Sequence, residues 1–118
     1  MKEQVTINVA DIIGSQLCIS AEDGQKVFEK IVPLVRAGSQ VNLSFEQITM
    51  IISLFLNAAI GQLYNEFKED ELKSGLTVSG LADDDLDMLK RVLDNAKRYY
   101  ANPRSFDHAW QSEVEDDE

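Results

Sequence analysis

Cysteine is nearly missing from this chain: Cys18 stands alone in 118 residues. One thiol cannot close a disulfide within the chain, so a reducing compartment is the expectation. Cys18 lies between Leu17 and Ile19 in a short apolar stretch, where a buried, inert thiol is the plain reading. Histidine is just as scarce. His108 is the one example, and it sits beyond the last periodic segment with Asp107 beside it. One histidine and one distant cysteine assemble neither a zinc site nor a Cys–His nucleophile. Phosphate cradles are missing too: no GxGxxG and no GxxxxGKS/T pattern occurs. The expectation is a non-enzymatic protein with no cofactor, no metal site and no catalytic residues.

Long hydrophobic runs are also lacking. The richest stretch, Ile48 to Leu63, is interrupted by Ser53, Asn57 and Gln62. It is too short and too polar to span a bilayer. The opening MKEQVTI has no basic start followed by an apolar run, so no signal peptide is expected. Cytoplasmic location follows as an expectation. Positive charge is in short supply: 11 Lys and Arg stand against 21 Asp and Glu, a net charge of −10. Such a chain repels nucleic acid phosphates and anionic membranes. Neither is an expected partner, and a protein partner fits better.

What is present is alternation of strand and helix patterns. A chain of this length is one domain by size and can bury about two thirds of its unfolded surface. In Gln4 to Val9, Val5, Ile7 and Val9 share one face of a strand. Ala10 to Ser15 reads as a turn region closing at Gly14, and Leu17 to Ile19 as a second short strand. Ser20 is a good N-cap, with Glu22 and Asp23 in the first turn. Val27, Phe28, Ile31, Val32 and Val35 give the helix an apolar face. Pro33 should kink or end it, and Gly38 should close it.

Val41, Leu43 and Phe45 predict a central strand, Glu46 to Ile52 a loop, and Ser53 to Phe67 a long buried helix. Lys68 to Ser74 reads as a charged loop and Gly75 to Ser79 as a strand. Asp83, Asp84 and Asp85 open a last helix whose buried face is Leu86, Leu89, Val92, Leu93, Ala96 and Tyr100. A helix N-terminus accounts for those aspartates without a metal. Asn102-Pro103 stops the helix.

The predicted architecture is α/β. It is a single open sheet of about four strands, mostly parallel or mixed, with helices mainly on one face. Residues 1–101 form the domain. Residues 102–118 form an acidic, flexible tail, within which Phe106 and Trp110 either dock on the domain or bind a partner.

The stretch VNLSFEQITMIISLFLNAAIGQLY carries a family resemblance. Phe45, Ser53, Phe55-Leu56-Asn57, Gly61, Leu63 and Tyr64 fall where STAS-like proteins of bacteria and phages place matching residues. Glu22-Asp23-Gly24 and the helix with Ile31 extend the pattern upstream. Leu76 to Ser79 and Leu89 to Tyr100 extend it downstream. The sequence thus resembles the STAS-like domain family of unknown function over about residues 5–101. That family is similar in turn to the anti-sigma-factor antagonists. There, a serine after the third strand is phosphorylated by a partner kinase and binding is lost. The resemblance implies a STAS-like fold and a regulatory protein–protein contact. Here Ile52-Ser53-Leu54-Phe55 replaces the switch tetrad. Leu54 falls on the regulated serine, and Ser53 is the neighbouring candidate for phosphorylation.

The segment Glu46 to Leu54 is unusually apolar for a loop, which suggests a contact surface. The candidate partner-binding residues are Thr49, Met50, Ile51, Ser53, Leu54 and Asn57, with core packing of the same residues as the competing explanation. A homodimer is compatible with this surface. Two other functions are open: an acidic inhibitor or decoy of a nucleic-acid-binding protein, and a small-ligand or nucleotide sensor using the loop and helix start.

Overall fold

The computed structural model describes residues 3–101, the side chain of residue 101 excepted. The tail with Phe106, His108 and Trp110 therefore lies outside the described residues. The elements run in the order β1 (Gln4–Asn8), α1 (Val9–Ile13), β2 (Leu17–Cys18), α2 (Ala21–Arg36), β3 (Gln40–Ser44) and β4 (Met50–Ile51). Then follow α3 (Ser53–Leu56), a π turn (Asn57–Gly61), α4 (Leu63–Glu66), α5 (Glu69–Gly75), β5 (Leu76–Ser79) and α6 (Asp83–Ala101).

The expectation of one sheet is corrected. Five strands form two small parallel sheets among the described residues: β1-β3-β5, and separately β2-β4. β3 is central, as expected of a strand flanked by helices in the sequence. Val5 pairs with Val41 and Ile7 with Leu43 on one side, while Leu76 pairs with Val41 and Val78 with Leu43 on the other. In the small sheet Leu17 pairs with Met50 and Cys18 with Ile51.

Three loop expectations also give way. Met50–Ile51 is a strand because β2 offers it a partner edge, a long-range pairing that local reading does not see. Lys68 to Ser74 is mostly helix. Its start is anchored by the Lys68 backbone N–H donating to the Glu71 carboxylate at 2.8 Å, with three acids in the first turn. The region before Gly14 is one helical turn, α1, closed by Gly14 at φ 67°.

The long second helix is confirmed but interrupted. Between α3 and α4 the backbone widens, and the Gln62 N–H reaches the Asn57 carbonyl, five residues back, at 3.1 Å. A π turn of this kind often marks a functional place in a helix. α2 is capped as its sequence implies, with Ser20 Oγ accepting from the Asp23 N–H at 3.1 Å. It runs past Pro33 by one turn and ends in a Schellman motif. The Gly38 N–H bonds Val35 O and the Ser39 N–H bonds Leu34 O, both at 3.0 Å, with Gly38 at φ 90°.

Phe45, Phe55, Ile31, Leu43, Leu56, Ile60 and Leu63 fill the core. The Phe45 and Phe55 rings meet edge to face, 6.5 Å apart at 78°. α2 crosses α3 and the π turn at Gly24, where an added Cβ would stand 2.6 Å from Phe55 O and 2.7 Å from Ala58 Cβ. Only glycine permits that approach. On α6, Leu89, Val92 and Ala96 are buried, but Leu86 is exposed, contrary to its place in the predicted apolar face.

Candidate partner-binding face

The site is built on a turn, a short strand pair and a helix start. Phe45 directly follows the central strand. The Ile48 N–H bonds Phe45 O at 3.1 Å and Gln47 adopts φ 71°, a type II turn with its left-handed position filled by glutamine. Thr49 then ties the segment to the chain before β2. Its N–H donates to Gln16 O at 2.8 Å and its hydroxyl to the same oxygen at 3.3 Å. The Ile52 N–H bonds Cys18 O at 3.0 Å. These bonds hold β4 against β2 and hand the chain to α3.

Strand alternation then sorts the side chains. Cys18 and Ile51 turn inward and are buried, at 0% and 7% exposure. Their neighbours turn outward: Leu17 is 41% exposed, Ile19 44% and Met50 53%. Leu54, in the first turn of α3, is 52% exposed. Burial pushes the Cys18 thiol from its ordinary 9.0 up to about 12, with the Asp23 charge adding to the shift. A thiol so placed is protonated and unreactive.

Of the residues singled out by sequence, Thr49, Met50, Ser53, Leu54 and Asn57 are exposed, and Ile51 belongs to the core. Met50 and Leu54 are therefore half exposed, while Ile51 is part of the core. Ser53 is the first residue of α3, and Ile52 before it provides no side-chain cap. Sequence reasoning missed Leu17 and Ile19. The signal was there: if Cys18 faces inward, both neighbours must face out.

Beside this face, and sharing Leu54 with it, runs a groove of about 550 Å³. Leu54, Ala58 and Gly61 form one wall, and Ala96, Tyr99 and Tyr100 the other, with Ala21 from α2 also lining it. The π turn shapes this groove. Gln62 donates to Gln25 Oε1 at 2.7 Å and to Ala58 O at 2.8 Å, fixing the widened turn to α2. The Tyr99 and Tyr100 rings pack edge to face at 4.7 Å, and burial raises the Tyr100 phenol above its usual range.

Among the described residues, no group of three or more His, Cys, Asp or Glu side chains could hold a metal ion, and no helix is long and apolar enough to cross a membrane.

Helices packed with small parallel sheets make this a STAS-like α/β domain. The chain belongs to the family described as a STAS-like domain of unknown function, whose sequence model matches residues 23–86. That span runs from α2 to the start of α6. It includes Gly24, Phe45, Phe55 and Gly61, all of them buried in this chain. No curated protein and no solved structure matches the chain.

Proposed function

We propose that this protein is a non-enzymatic, regulatory interaction module whose outward face of Leu17, Ile19, Met50 and Leu54 binds a protein partner. The observation that carries this reading is the exposure of those four large apolar side chains, each above 40%. Three lie on or beside one short strand pair and the fourth on the helix that follows it. Isolated exposed apolar residues need no explanation, but a group of them rimmed by polar residues such as Thr49 and Ser53 is typical of a contact surface. Truncating or charging residues at the centre of such a surface removes most of the binding energy.

Ser53 gives the face a means of control. A phosphate there adds a charge of about −1.5 to −2 between Met50 and Leu54. A desolvated apolar contact cannot accept that charge, so phosphorylation would release the partner. The chain's net charge of −10 favours a partner with a basic rim around its own apolar patch.

The test is capture of a partner from an extract of cells that carry the protein, comparing the wild type with Met50→Asp and Ser53→Asp. Both variants should keep the fold and lose the captured protein. Partner retention by a folded Met50→Asp chain sinks the reading.

A further inference from the structure

We propose that the hollow flanked by α5, β5 and α6 binds a small aliphatic carboxylate. Its hydrocarbon tail would lie among the aliphatic side chains of the hollow, and its head would lie beside Lys73 and Lys97.

The tail site follows from the edge of the large sheet. β5 has a partner strand on one side only. Its Leu76 and Val78 are half-buried, as is Leu93 of α6, and all three line the hollow. Buried Ile60, Leu72 and Leu89 complete the aliphatic lining. The cavity measures about 320 Å³, at the small end of the range for ligand pockets. Covering its lining with hydrocarbon removes apolar surface from water, which drives the association.

The head site follows from charge. Lys73 Nζ and Lys97 Nζ both reach one oxygen, Glu69 Oε2, at 3.8 and 3.1 Å. Two ammonium groups thus share a single carboxylate, and one positive charge is left over. An adjoining hollow shares Tyr64, Glu69 and Lys97 with the first and adds Lys68. The residues lining the two hollows therefore carry three lysines against one glutamate. This occurs in a chain where acids outnumber bases 21 to 11. Asp94, whose charge reaches Tyr64, stands outside that lining. Burial raises the Tyr64 phenol above its usual range, so its O–H remains a donor at neutral pH.

A monoanionic head suits this arrangement better than a phosphate. One further carboxylate matches the two lysines with two anions, whereas a doubly charged group would be repelled by Glu69. The aliphatic lining then selects the tail and the lysines select the head.

This site does not depend on the partner reading. Leu17, Ile19, Met50 and Leu54 do not line either hollow.

The test is calorimetric titration of the folded full-length chain with octanoate and, separately, with 1-octanol. Octanoate should bind saturably at one site per chain, and octanol about tenfold more weakly, since it lacks the charged head. Lys97→Met keeps the stem and removes the charge. It should weaken octanoate by about tenfold and leave octanol unchanged. Val78→Trp should fill the cavity and abolish binding of both probes while far-UV circular dichroism stays constant. If Val78→Trp loses the fold, Leu93→Trp fills the same space from α6. The proposal is overturned if octanoate does not bind saturably, or if octanol binds as tightly as octanoate. Unchanged octanoate affinity in Lys97→Met, or in a folded cavity-filling variant, overturns it as well.

Discussion

The three-stranded and two-stranded sheets of this protein are made of similar residues and treat them differently. In β3, Val41 and Leu43 are buried and Phe45 follows them into the core, with a strand hydrogen-bonded on each side. In β2-β4 only two residue pairs meet. Cys18 and Ile51 plug into the core, while Leu17 and Met50 face outward. A pair this short gains little from its own hydrogen bonds and is held by what it plugs into. Its outward apolar residues Leu17 and Met50 stay 41% and 53% exposed. The large sheet carries the fold, and the small one carries a surface.

Substitutions should divide along the same line. The largest loss belongs to Phe55→Ala, which empties a fully buried site against Phe45 and should cost about 3–5 kcal/mol in urea unfolding. Gly24→Ala comes next, at about 1–3 kcal/mol, because its methyl would collide with the backbone at Phe55 and with Ala58. Comparable stability in either variant and the wild type would show that the helix crossing yields more easily than its geometry implies.

Cys18 probes the small sheet from within. Its folded pKa lies above its unfolded value, so its burial contributes stability in full below about pH 9 and loses it as pH rises toward 12. Wild-type stability should therefore fall over that window more than that of Cys18→Ala. At neutral pH a thiol reagent should react only when β2 opens. Local opening of a two-pair sheet costs less than global unfolding, so the opening free energy obtained from labelling should be smaller than that obtained from exchange of the β3 amides. Equal opening free energies would make the two sheets one cooperative unit. The smallest expected effect is that of Met50→Asp on stability, within about 0.5 kcal/mol of the wild type, as for surface positions generally.

The parts of the fold that were legible in the sequence are those fixed locally. Ser20 as cap, Gly38 as helix stop, the alternation through Phe45 and the acidic start of α6 all specify their neighbours directly. The division into two sheets was not legible, because β4 exists only through β2, more than thirty residues away in sequence. The π turn was hidden as well. Asn57–Gly61 is unremarkable helix sequence, and its widening depends on contacts with α2 and α6. The apolar surface was half visible: Met50 and Leu54 stood out in a supposed loop, whereas Leu17 and Ile19 were hidden inside a strand pattern. Ile51 shows how the same pattern misleads by one residue, since strand alternation sends it to the core.

The central claim is that the small sheet displays a binding surface that the fold does not need. The most direct measurement is the amount of partner captured by Met50→Asp relative to the wild type, with thermal unfolding of both chains recorded alongside. The account predicts an unchanged melting transition and loss of the partner. Undiminished capture by a Met50→Asp chain that melts like the wild type would contradict it, as would a Met50→Asp chain that fails to fold.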